Sequence, residues 1–260
     1  MNFKSITKST YISEGLDALR EAKKVKSFNK LKNSVTINQN SDYSRRTCWS
    51  QINKRYIETN KDKITNYSLV KLVDFEDMKL NRELMYFHYL NSEPLAKFTV
   101  LNLIYPRLLS EEEYQLKRDD VIFFIKDYIS FSDATVKKTA RSIVKAMIDF
   151  GMAVQKVNRV FVKWYRPSLT AFLYGIYSEY SSGFAKAQNY NILNPSIEHI
   201  REKSEFYKLF LIKPAVLNTY LKISWEKGYL NYEPRGGLNQ YVLKQESLSN
   251  FVNQLIKEEE

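Results

Sequence analysis

The stretch from Ser132 to Tyr165, SDATVKKTARSIVKAMIDFGMAVQKVNRVFVKWY, constrains the fold more than any other part of the chain. Val136, Ala140, Ile143, Val144, Met147 and Ile148 recur at three- and four-residue steps, so they share one face of a helix that needs a core to cover it. Ser132 is a good N-cap, and Asp133 suits the positive end of the helix dipole. Lys137, Arg141 and Lys145 fall on the opposite face at steps of four, with Lys138 beside them, and that face carries no acid. Gly151 supplies the left-handed residue that closes a helix. Met152 to Val157 and Val160 to Tyr165 follow as β-rich runs around a tight Asn158-Arg159 turn, and Lys156, Arg159 and Lys163 add positive charge on or near the hairpin.

Asp119 to Tyr128 (DDVIFFIKDY) supplies a preceding helix and Ile129 to Phe131 a turn. The pattern predicts a winged helix-turn-helix, whose second helix enters the DNA major groove while the wing touches the backbone. A helix packed on a hairpin with a solvated lysine face satisfies the same pattern without any nucleic acid.

Charge supports the first reading. The chain holds 40 Lys and Arg against 29 Asp and Glu, a formal net charge of +11 that favours polyanionic partners. Met1 to Lys63 alone holds 14 basic and 6 acidic residues, a net of +8, so most of the excess lies in the first quarter. One cysteine, Cys48, forms no internal disulfide and suits a reducing cytoplasm. The start lacks the apolar core of a signal peptide, and no apolar run approaches the roughly 20 residues that span a bilayer. The expectation is a soluble cytoplasmic protein with no membrane partner.

The expected organisation is mainly α with small β-hairpin wings. It has a basic N-terminal helical region (residues 1–66), a first winged unit (67–166), and a linker helix with a second winged unit (167–260). Thr10 to Lys26 reads as a helix, Lys30 to Asn40 as a loop or short hairpin, and a second helix runs from Ser41 or Asp42 to about Glu58. That helix brings Arg45, Arg46, Lys54 and Arg55 as further DNA-binding residues, the first two in a first turn where an anionic partner would relieve the dipole. Pro94 opens a helix that Pro106 stops, and Ser110 to Glu113 resembles a helix start with acids in its first turn. Asn189 to Ser196 reads as a loop. Later, Pro214 to Lys227 makes a helix closed by Gly228, and the runs beside the turn Glu233 to Asn239 make a second wing. Aligning Gly151 with Gly228 sets Lys145 over Lys222, Ile148 over Trp225 and Met152 over Tyr229, a repeat of layout. The second helix is much less basic, which suits a structural or protein-contacting role.

No pattern points to catalysis or a cofactor. Two histidines far apart and one cysteine do not build a zinc site, and there is no Walker A loop and no GxGxxG among 7 glycines. Asp74-Phe75-Glu76-Asp77-Met78-Lys79 offers the carboxylates and lysine of a metal-dependent phosphodiesterase, but its helical flanks make surface charge before a helix the better account.

Asn81-Arg82-Glu83-Leu84-Met85-Tyr86-Phe87-His88-Tyr89-Leu90, then Ser92-Glu93-Pro94-Leu95, and later Ile148-Asp149-Phe150-Gly151 ahead of a hairpin, resemble the BrxA family of bacteriophage-exclusion (BREX) systems. Ser44-Arg45-Arg46 and the Phe206 to Phe210 segment sit in a similar order. The resemblance implies a small, non-enzymatic component of a multi-gene phage-defence system that binds double-stranded DNA and partners other BREX proteins. Taken with the basic residues, it gives an expected protein that grips DNA largely through phosphates. A sequence-specific transcriptional regulator and a protein-protein adaptor in a defence complex are the alternatives.

Overall fold

A computed structural model of the chain describes Phe3 and residues 9–73, 77–181, 197–235 and 238–259. It is mainly helical with small antiparallel strand pairs, and it divides into two compact units, Met1–Lys163 and Trp164–Glu260. The expected boundary at 66/67 falls inside the first unit, because helices from both sides of it share one core. The expected boundary at 166/167 lies three residues from the observed division.

In the first unit, α1 (Ile12–Ala22) buries Leu16, Ala18, Leu19 and Ala22, the apolar face of its 3.6-residue period. The segment expected as a loop after it contains a short helix, α2 (Phe28–Ser34), capped by the Ser27 side chain. Its first turn is held from outside, since Asp62 accepts from the Asn29 amide at 2.8 Å and from the Ser27 hydroxyl. Such a tertiary cap leaves no periodic signal in the sequence. Helix α3 (Asp42–Ile52) starts at the expected Ser41 cap and then widens into a π turn, Asn53–Ile57. The hairpin β1 (Thr59–Asn60) and β2 (Lys63–Ile64) follows, then α4 (Tyr67–Leu72) and the long α5 (Met78–Ser92).

Helix α6 (Pro94–Thr99) runs into a second π turn, Val100–Ile104, and directly into α7 (Tyr105–Ser110). Pro106 therefore does not stop the helix. The wider turn shifts the ladder, so that Tyr105 N–H reaches Val100 O and the absent proline N–H falls at a break in the pattern. Ser110 ends this helix instead of starting one, and the acids after it lead into β3 (Glu113–Gln115), whose Tyr114 side chain is buried.

Helices α8 (Arg118–Tyr128) and α9 (Asp133–Asp149) are joined by a four-residue turn, and β4 (Ala153–Lys156) and β5 (Arg159–Lys163) follow. The sheet order is β3-β5-β4, with Tyr114 and Ala153 both opposite Val162. Lys156 pairs with Arg159, so the tight turn is Val157-Asn158, one residue earlier than the pattern suggested.

The second unit contains α10 (Leu169–Tyr180), α11 (Ile197–Lys203), α12 (Phe206–Leu209), α13 (Pro214–Glu226), the hairpin of β6 (Leu230–Arg235) and β7 (Leu238–Leu243), and α14 (Leu248–Glu259). Aromatic rings build its core: Phe172 stacks on Tyr220 at 4.7 Å and Tyr177 on Phe251 at 4.3 Å. The Tyr177 hydroxyl donates to Tyr229 O and accepts from the Lys244 and Gln245 amides, which ties α10 to the β6–β7 hairpin. The expected loop at Asn189–Ser196 and the glycines of the second turn lie outside the described residues.

Among the described residues, no helix is long and apolar enough to cross a membrane.

Candidate nucleic-acid interface

Helix α9 has two unlike faces. Val136, Ala140, Ile143 and Met147 are buried, and Phe150 at its end meets the rings of Tyr86 and Tyr89 from α5 at 5.6 and 5.3 Å. That packing fixes the helix about its own axis. Lys137, Lys138, Arg141 and Lys145 consequently all point to solvent. Ser132 caps the helix by accepting from the Thr135 amide, and Lys126 from α8 reaches Asp133 Oδ1 at 2.8 Å, a hydrogen bond that holds this carboxyl below its ordinary range. The acid of the first turn is thus engaged chiefly by Lys126, with a smaller electrostatic contribution from Lys137 one turn along α9.

The four cations are not equivalent. Lys145 Nζ lies 2.8 Å from Asp149 Oδ1, while Thr10 Oγ1 donates to Asp149 Oδ2 at 2.8 Å. Lys145 therefore belongs to a bridge from the end of α9 to the chain before α1. Among the described residues, Lys137, Lys138 and Arg141 form no ion pair. On the hairpin, Lys156 lies 3.5 Å from Glu113 Oε1 and 4.9 Å from the centre of the Phe161 ring, whereas Arg159 is exposed with no such partner among the described residues. Between them, Val157 is 88% exposed at a φ of 56°, a left-handed conformation that a β-branched residue rarely adopts.

The N-terminal set divides further. Arg45 pairs with Asp42 one turn before it, and Arg46 is exposed. Arg55 contradicts the expectation of a surface contact. It is 1% exposed, because it falls seven residues after Cys48 and three after Ile52, on the face that those two buried residues share. Its Nε and Nη2 each lie 3.0 Å from Glu93 Oε1, and Lys54 Nζ reaches the same oxygen at 2.9 Å. Arg55 is a core residue, and Lys54 is partly committed to the same buried carboxylate.

The aligned glycines sit in matching local structures. Gly151 and Gly228 have φ values of 78° and 74°. Gly151 N–H bonds to Ile148 O and Met152 N–H to Met147 O; Gly228 N–H bonds to Trp225 O and Tyr229 N–H to Ser224 O. These are the paired bonds of a Schellman closure, at one constant offset in sequence. The exposed side of α13 differs from that of α9: it carries Lys222, 3.7 Å from Glu226, and the apolar Ile223 and Trp225.

Of the acidic fragment before α5, Asp74, Phe75 and Glu76 lie outside the described residues. Asp77 caps α5, accepting from the Lys79 and Leu80 amides. Among the described residues, no group of three His, Cys, Asp or Glu side chains is placed to hold a metal ion. Lys24, Lys26, Lys30 and Lys63 line one groove; in the sequence Lys24 and Lys26 read only as cations suited to the end of the first helix, and no local pattern joins Lys30 and Lys63 to them. No protein family matches the sequence, and no curated protein and no solved structure matches it either.

Proposed function

We propose that the chain is a non-enzymatic, double-stranded DNA-binding component of a bacterial phage-defence system of the BREX kind. In this reading α8, α9 and the β4–β5 hairpin act as a winged helix-turn-helix, with α9 in the major groove and the hairpin on the backbone. The observation that carries it is the exposed set Lys137, Lys138 and Arg141 on a helix whose other face is locked into the core. Lys137 and Arg141 stand one turn apart, about 6 Å along the helix, with Lys138 beside them, and Arg141 is placed to meet a phosphate or a guanine edge. Arg159 and Arg46 offer further phosphate contacts. The resemblance to the BrxA family in the order of its motifs supports the defence setting, and the exposed Ile223 and Trp225 favour a protein-contacting role for the second unit.

The test is a Lys137→Glu, Lys138→Glu, Arg141→Glu variant, checked for native melting and titrated with duplex DNA at several salt concentrations. Loss of three phosphate contacts flattens the dependence of log affinity on log salt by about 2.7. A folded variant that binds like the parent would make α9 a solvated face only.

A further inference from the structure

The first unit carries a second basic surface, built by tertiary contact between segments far apart in sequence. The chain after α1, the start of α2 and the β1–β2 hairpin enclose an open groove of about 430 Å³ whose charged lining is Lys24, Lys26, Lys30 and Lys63 with one carboxylate, Asp62. Lys32 and Lys61 are exposed beside it. Backbone bonds hold the segments together: Phe28 N–H donates to Asp62 O at 2.8 Å, Ile64 N–H to Lys26 O at 3.1 Å, and Ser27 pairs with Lys63 as an isolated β-bridge. The lysines therefore stand on fixed backbone, not on a tail.

The two acids at the groove, Asp62 in its lining and Glu21 beside it, leave it an excess of positive charge. Asp62 accepts from the Ser27 hydroxyl and the Asn29 amide, and Glu21 lies 2.9 Å from Lys24 Nζ. Among the described residues, Lys26, Lys30, Lys61 and Lys63 form no ion pair. Concentrated positive charge in a concave site raises the local potential and favours a polyanion. The described residues 21–36 and 59–66 contain no exposed large apolar side chain. An amphipathic membrane surface and an apolar protein interface both need such anchors, whereas a phosphate backbone does not.

We propose that this lysine groove is a second phosphate-binding site that grips the nucleic-acid backbone away from α9; the inference rests on the reading of the chain as a DNA-binding protein. The groove is separate from the α9 face. Asp149, at the end of α9, bonds to Thr10 just before α1, and the groove opens just beyond its other end.

The experiment compares the full chain with two folded variants by anisotropy on a 40-base-pair duplex across a salt series. The groove variant is Lys26→Gln, Lys30→Gln, Lys63→Gln; the helix variant is that of α9 described above. The expected result is a salt slope shallower by about 2.7 for the groove variant, with its loss of affinity multiplying that of the helix variant. If the helix variant is weakened but the groove variant keeps the parent slope, the groove inference falls and the α9 reading stands. If only the groove variant is weakened, the α9 reading falls and the groove stands. Both fall if the parent binds no duplex. Groove-dependent binding to vesicles of phosphatidylserine and phosphatidylcholine, without groove-dependent binding to DNA, assigns the site to a membrane and overturns the inference. Lys24→Gln with Lys30→Gln, both on exposed positions outside the β-bridge, replaces the triple variant should that one not melt cooperatively.

Discussion

Arg55 and Glu93 form a buried ion pair across 38 residues of sequence, with two guanidinium nitrogens 3.0 Å from one carboxylate oxygen. The guanidinium also lies 4.9 Å from the centre of the Tyr89 ring and donates to the carbonyl of Ser9. It thereby fastens the chain before α1 to the junction of α5 and α6. Replacing Arg55 by Ala strands a carboxylate that is 4% exposed, with Lys54 as its remaining cation. The expected cost is about 3 to 5 kcal/mol, read as a lower denaturant midpoint with an unchanged m-value. A midpoint within error of the parent would show that the pair contributes little.

Gly15 is a close-approach site inside α1. A Cβ there would lie 2.7 Å from Met85 Cε and 2.8 Å from Tyr56 Cδ2. Methionine can swing away, but the Tyr56 ring is fully buried and its hydroxyl donates to Thr10 O. Gly15→Ala should therefore destabilise by about 1 to 3 kcal/mol despite the better helix propensity of alanine. A thermal melt that moves upward would mean the core yields at that point.

Cys48 has no solvent exposure, and burial pushes its thiol up to about 12. Thiolate is scarce at pH 8 and the sulfur is unreachable, so an aromatic disulfide reagent should react only after unfolding. The rate of colour development in mild denaturant should track the unfolding of the first unit. Prompt reaction of the native protein would contradict this placement.

Glu179 makes the second unit sensitive to pH. Its carboxylate accepts from Ser204 Oγ and from the Glu205 and Phe206 amides, yet burial outweighs these bonds and raises its pKa. A carboxyl whose folded pKa exceeds the ordinary 4.5 contributes its stability fully below that value and loses it as pH rises through the folded pKa. The parent should therefore lose stability relative to Glu179→Gln as pH climbs above about 4.5, levelling once the group is ionised in both states. A difference between the two proteins that is flat with pH would refute the assignment.

Helix α9 and its hairpin were legible because their determinants are local: a cap at Ser132, an apolar stripe at helical spacing, and a glycine that permits a left-handed turn. Features set by distant partners were not. The Asp62 carboxylate that steadies α2 lies 33 residues beyond Asn29, and the partner that turns Glu113 to Gln115 into a strand begins at Arg159. Arg55 shares the helical face of the buried Cys48 and Ile52, but the carboxylate that lets a guanidinium stay there, Glu93, lies 38 residues away and leaves no local signal. The lysine groove escaped for the same reason as α2: its walls meet only in three dimensions.

Val157 sets folding and surface chemistry against each other at one position. Its backbone conformation would be easier for asparagine or glycine, and its side chain, 88% exposed, gains little from the fold. Improving the turn there and altering what the hairpin tip presents to its surroundings are therefore the same edit. A residue that a stability-minded redesign would replace first is also the one that gives the tip an apolar point between Lys156 and Arg159.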